Sequence, residues 1–168
     1  EYVLDTVEVE RTGDIGEMTN LSDFQLGKLQ ISILPERTKC WQVYSVNRDD
    51  SGNVISKTLY IDDHRSSRIL ILGDSFSRIY QTDEPRGAGW IAHVAHLLGE
   101  PVASIVNDGG ASTIVRQTLS RNKSLLKSKK LVIWEFVERD LRFGDMGWQR
   151  IDFTEEVNNT VVTKDKSL

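Results

Sequence analysis

Three short segments of this sequence carry side chains and backbone suited to chemistry. The first is Gly73-Asp74-Ser75-Phe76-Ser77, which follows the apolar run Ile69-Leu70-Ile71-Leu72. A hydroxyl at that junction meets free backbone N–H groups and a dipole that favour developing negative charge. An acyl-transfer nucleophile benefits from such a place, so Ser75 is the candidate. The competing reading is that Asp74 or Ser75 merely caps a helix. The second segment is Asn107-Asp108-Gly109-Gly110-Ala111-Ser112-Thr113. Small residues let backbone approach a substrate closely, and Gly110 or Ser112 offers an N–H to an oxyanion. Alone, the segment reads better as an ordinary β-to-α turn with a helix cap. The third is Trp134-Glu135-Phe136-Val137-Glu138-Arg139-Asp140, where charged residues gather directly after an apolar run.

A serine nucleophile needs a base, and the base needs an orienting partner. The sequence holds three histidines, His64, His93 and His96. His64 enters the run that leads to Gly73 from its amino end. Five residues of extended chain span roughly 17 Å, which sets His64 at the opposite sheet edge from Ser75. His93 and His96 are three apart on an expected helix. No acidic residue shares that helix at metal-binding spacing, so no metal site is expected there.

These segments need elements to hold them together. Arg68–Leu72, Val102–Val106 and Leu131–Phe136 are short continuous apolar runs. Between them lie two helical patterns. One runs from Gly89 to Leu98 and stops at Gly99; the other begins at Ser112 or Thr113 and continues to about Leu126. Strand, helix, strand, helix, strand in this style predicts a parallel sheet covered on both faces. Active sites of such sheets form beyond the carboxyl ends of the strands, where all three segments fall. The first half reads as irregular, with a turn at 12–18 leading into a short helix. Residues 38–61 read as a β-hairpin around Asn47-Arg48-Asp49-Asp50-Ser51-Gly52-Asn53. Residues 148–153 suggest another strand, and the polar stretch 154–168 reads as a tail.

Bulk properties narrow the function. The 168 residues suit one domain, and the net charge of −4 argues against a general nucleic-acid binder. No apolar stretch approaches the ~18 residues a membrane span needs. The lone Cys40 excludes an intrachain disulfide and reads as a packed strand residue. Lys123, Lys127, Lys129 and Lys130 cluster before the third strand and read as a solvated face that suits a helix end.

Gly-Asp-Ser after a strand, followed by Asn-x-Gly after the next, resembles the SGNH (GDSL-like) hydrolases. Leu72–Ser77 together with Val132–Arg139 is similar to the SGNH-like domain of bacterial alginate O-acetyltransferases and related polysaccharide-acetylating enzymes. Arg11-Thr12-Gly13-Asp14-Ile15-Gly16-Glu17-Met18 resembles a segment that precedes the nucleophile there. The resemblance spans roughly residues 11–141. It implies a three-layer, SGNH-hydrolase-like (flavodoxin-like) α/β fold, with the hairpin as an addition, in one domain over 1–153. It implies that Ser75 carries an acetyl group and that Arg139 lies near the site, orienting substrate, holding Glu135, or paired structurally with Glu135 or Glu138. Asp140 stands where that family often has an aromatic residue.

The same resemblance implies a periplasmic enzyme with a polysaccharide acceptor such as alginate, an acetyl-delivering membrane protein as a possible partner, and no cofactor. The base of that family is an Asp-x-His pair ahead of the serine. This chain has none, so the pair is expected before Glu1, and the chain reads as the C-terminal part of a longer enzyme. The alternative is an SGNH-like module without chemistry that binds a glycan or a partner protein.

Overall fold

The computed structural model describes residues 1–13, 18–109, 113–144 and 148–153. The strands are β1 (Tyr2–Arg11), β2 (Glu36–Arg48), β3 (Val54–Leu59), β4 (Ile69–Gly73), β5 (Ala103–Val106) and β6 (Leu131–Trp134). The α-helices are α1 (Asp23–Lys28), α2 (Ser75–Arg78), α3 (Trp90–Leu98) and α4 (Ile114–Arg121). Two 3₁₀ segments, Lys123–Ser128 and Glu138–Gly144, flank β6.

These strands form two sheets. One is antiparallel in the order β1-β2-β3, and the other is parallel in the order β5-β4-β6. This corrects the expected three-layer parallel architecture. The parallel part has only three strands, and half of the strands build a separate antiparallel sheet. The reason lies in the connections. β2 and β3 are joined by a tight turn, which permits only antiparallel pairing, and no crossover helix separates them. The hairpin is therefore no appendage: it is the body of the first sheet, with β1 paired along its full length from Tyr2↔Ser45 to Arg11↔Glu36.

β4 is the centre of the parallel sheet, and all five of its residues are buried. Its side chains alternate between two cores, as strand geometry requires. Ile69 and Ile71 pack with Ile91, Ala92 and Ala95 of α3, with Val43 of β2, and with Tyr60 directly after β3. Leu70 and Leu72 pack with Val115 and Leu119 of α4. The first core thus welds the two sheets together. Backbone bonds also tie β2 to the loop before α3, where Val43 N–H donates to Gly87 O (2.8 Å), and the segment after β3 to the residue before β5, where Asp63 N–H donates to Val102 O (3.0 Å). Cys40 is buried on β2.

α1 starts at a capping box, in which Ser22 Oγ accepts from Gln25 N–H and Gln25 Oε1 accepts from Ser22 N–H. α3 ends at Gly99 in the left-handed conformation (φ 67°), the usual glycine stop. Residues 148–153 are not a strand. Trp148 folds back instead, donating Nε1–H to Asp140 O (3.0 Å) and stacking edge-on with Trp134 and Phe136. The stretch 154–168 lies outside the described residues. Among the described residues no helix is long and apolar enough to cross a membrane.

Candidate functional site

The buried strand β4 delivers Gly73, Asp74 and Ser75 to one edge of the parallel sheet. Asp74 is the N-cap of α2: its Oδ1 accepts from Phe76 N–H (2.8 Å), while its own side chain is buried. The cap reading therefore holds for Asp74, which leaves Ser75 as the first helical residue. Ser75 is half-buried, and among the described residues neither its N–H nor its hydroxyl takes a protein partner. Phe76 beside it is 59% exposed.

The turn is held from β6. Parallel pairing continues past the strand, with Glu135 N–H donating to Leu72 O (2.8 Å). The Glu135 carboxylate then reaches back. Its Oε2 accepts from Asp74 N–H (3.0 Å) and from Ser77 Oγ–H (2.8 Å), and Ser77 Oγ accepts from Trp90 Nε1–H (3.1 Å). Ser77 is wholly buried. Gly73 has no room for a side chain here: a Cβ would lie 2.2 Å from Ser77 Oγ and 2.5 Å from Ser77 Cβ. Burial, with the charges of Glu135 and Asp140 nearby, pushes the Asp74 carboxyl above its ordinary value.

Ser75 opens onto a cavity of about 660 Å³. Arg11 at the end of β1, Met18, Phe76, Arg78, Ile79, Asp83, Glu84 and Arg139 of the second 3₁₀ segment line it with Ser75. The structure thus brings Ser75 and Arg139 to one cavity. Arg139 pairs with neither Glu135 nor Glu138; Glu135 is committed to the turn instead. Among the described residues Arg139 takes no ion-pair partner. Arg78, by contrast, is engaged: its guanidinium bonds Asp83 and, through Nε, Asp108 Oδ1 (3.0 Å).

That second pair ties the segment after β5 to the Ser75 turn. Asn107 N–H also donates to Gly73 O (3.1 Å), and Gly109 adopts a left-handed φ of 72°. Gly110 and Ser112, the expected oxyanion donors, lie outside the described residues.

None of the three histidines lines the Ser75 cavity. The His93 ring nitrogen Nε2 lies 2.9 Å from Trp41 O, and His64 lines a different cavity of about 640 Å³ with Asp62, Gln81 and Ser104. Asp62 accepts from Gln81 Nε2–H (3.0 Å) and from Ser104 Oγ–H, and burial raises its pKa. Among the described residues no group of three His, Cys, Asp or Glu side chains is placed to hold a metal ion.

Sequence reasoning did not find the Trp90–Ser77–Glu135 relay, nor the place of Arg78 between Asp83 and Asp108. Only one signal was available: Glu135 is a carboxylate directly after a buried-type strand, where a charge needs a partner.

No family model matches the chain, and no curated protein matches it. Among solved structures it is similar to the O-acetyltransferase domain of Pseudomonas putida AlgJ. The TM-score is 0.50 at 16% identity, over 83% of this chain and 41% of that one. This is a distant likeness of fold, and the chain spans less than half of its structural neighbour.

Proposed function

We propose that the chain is an O-acetyltransferase-type domain in which Ser75 forms an acetyl-serine intermediate, acting in the periplasm on an exported polysaccharide such as alginate. The single observation that carries this reading is the Ser75 hydroxyl, without a partner among the described residues, half-buried on a braced strand-to-helix turn and opening with Arg139 onto one cavity. The distant likeness to an O-acetyltransferase domain supports it.

In the first half-reaction Ser75 Oγ attacks the carbonyl carbon of an acetyl ester donor. The Oγ–C bond forms, the ester C–O bond breaks, and the serine proton passes through a base to the departing alcohol. In the second half-reaction an acceptor hydroxyl attacks the acetyl-serine. The new ester C–O bond forms, the Oγ–C bond breaks, and Oγ regains a proton. Water in place of the acceptor gives simple esterase turnover. Ser75 N–H is the donor placed to meet the oxyanion. Arg139 orients the substrate by charge. None of the three histidines lines the Ser75 cavity, so the base comes from another group; a membrane protein that delivers the acetyl group belongs to the same proposal.

The positions of the histidines also favour a second reading, a module of this fold that binds glycan or protein without turnover. Hydrolysis of p-nitrophenyl acetate separates the two. It should be measured for this chain, for a version extended upstream of Glu1, and for Ser75→Ala in each. Turnover by the extended form that Ser75→Ala silences is the expected result. Turnover that survives Ser75→Ala removes Ser75 from the role, and silence in every form favours the binding module.

A further inference from the structure

We infer that Glu135 is a positioning residue for the Ser75 nucleophile, acting through the main-chain N–H of Asp74 and the hydroxyl of Ser77. The inference rests on the acetyl-serine reading for its catalytic consequence, though not for its geometry.

One carboxylate oxygen, Oε2, receives both bonds: Asp74 N–H at 3.0 Å and Ser77 Oγ–H at 2.8 Å. These donors sit one residue before Ser75 and two residues after it, so the same atom clamps both sides of the nucleophile. The clamp is itself immobilised. Glu135 N–H is bonded to Leu72 O at 2.8 Å, and Ser77, wholly buried, is held from its other side by Trp90 Nε1–H at 3.1 Å. The path therefore runs from α3 through Ser77 to Glu135 and back to the end of β4.

A purely structural ion pair is the other use for such a carboxylate. Arg139, four residues on, does not pair with it. The Glu135 carboxylate is spent instead on a main-chain N–H and a buried hydroxyl of the nucleophile turn. A carboxylate aimed at the amide before the nucleophile is accounted for by the turn that it holds. Tolerances at reacting atoms are tight: about 1 Å of misplacement can cost roughly 100-fold in rate.

The test uses Glu135→Ala, Glu135→Gln and Ser77→Ala, with two readouts. The first is kcat and KM for p-nitrophenyl acetate, in whichever form of the protein turns over. Glu135→Ala should lower kcat by about 100-fold with little change in KM. Glu135→Gln keeps an acceptor oxygen and should recover most of that loss, and Ser77→Ala should fall between them. The second readout is hydrogen exchange at the Asp74 amide. Protection should be lost in Glu135→Ala and kept in Glu135→Gln, while amides of Leu70 and Ile71 stay protected in both. Loss of protection at Leu70 and Ile71 as well would mark general unfolding, and Ser77→Ala then carries the decision.

Wild-type kcat or a wild-type Asp74 amide in Glu135→Ala overturns the inference. A loss confined to KM also overturns it, because that is the signature of substrate contact. If no form of the protein turns over, the acetyl-serine reading fails, and the amide exchange still decides whether Glu135 holds the turn.

Discussion

Replacing Gly73 by alanine places a methyl group where the structure has none to spare. The new Cβ would sit 2.2 Å from Ser77 Oγ, 2.5 Å from Ser77 Cβ and 3.3 Å from Glu135 Oε2. Ser77 cannot swing away cheaply, because it is wholly buried and bonded on both sides. Overpacking a core of this kind costs about 1–3 kcal/mol. Each buried hydrogen bond that Ser77 gives up adds about 1 kcal/mol. A loss of about 3 kcal/mol corresponds to a Tm lower by about 10 °C for a domain of this size. Thermal unfolding followed by circular dichroism measures it, with Gly27→Ala as the control. Gly27 lies in α1 with nothing within 4 Å of its added Cβ, so that substitution should leave stability unchanged or raise it by roughly 0.5 kcal/mol. Equal Tm values for Gly73→Ala and the wild type would refute the packing argument for the nucleophile turn.

Asp74 should make stability depend on pH. Its folded pKa is raised above the unfolded value, so the native state holds its proton more tightly. Stability is therefore lost as pH rises from the ordinary aspartate range through the folded pKa. Asp74→Asn keeps an acceptor for Phe76 N–H without the charge. It should match or exceed the wild type at neutral pH, with the gap closing as pH falls, in urea unfolding across that range. A gap that widens toward acid would contradict the sign. Lys129 Nζ donates to Ser67 O (2.7 Å), Ser67 Oγ (3.0 Å) and His64 O (3.0 Å), stitching the loop before β4 to the start of β6. Lys129→Met should cost about 2 kcal/mol in the same assay. The exposed Arg68–Glu100 pair, at 2.7 Å, should matter far less: Arg68→Ala should cost under about 1 kcal/mol, and less still in high salt.

The parallel half of the fold was readable because its strands are short, mostly apolar runs, with Ser104 of β5 the one polar side chain among them. Ile69–Gly73 is buried throughout, and a strand buried on both faces announces itself as a continuous run. The helices α3 and α4 were legible from their 3.6-residue spacing and, for α3, from the Gly99 stop. β1 was not legible. Its signals are short, an apolar run Tyr2-Val3-Leu4 and an alternation Val7-Glu8-Val9-Glu10 separated by Asp5-Thr6, and none of its ten residues is fully buried, so no single core-facing stripe runs through it. Without β1 the antiparallel sheet looked like a stray hairpin, and the parallel sheet looked like the whole domain.

The site divides in a similar way. That Ser75 follows a buried strand could be read from the sequence, while Arg139 was named from the resemblance; the structure puts both on one cavity. The link through Glu135 was not, because a hydrogen bond across 61 residues depends on strand order, which local spacing does not encode. The same holds for Arg78, whose partners Asp83 and Asp108 come from two different loops.

The central claim is that Ser75 accepts an acetyl group, and the most direct measurement is to look for that group. The chain, and a version extended upstream of Glu1, would be mixed with p-nitrophenyl acetate, quenched in acid after a fraction of a turnover, digested, and read by tandem mass spectrometry. The account predicts one added acetyl on the peptide that contains Ser75, assigned to that hydroxyl and lost when water or an acceptor sugar is allowed time to react. Acetyl groups found only on lysines, or equal labelling in Ser75→Ala, would contradict it.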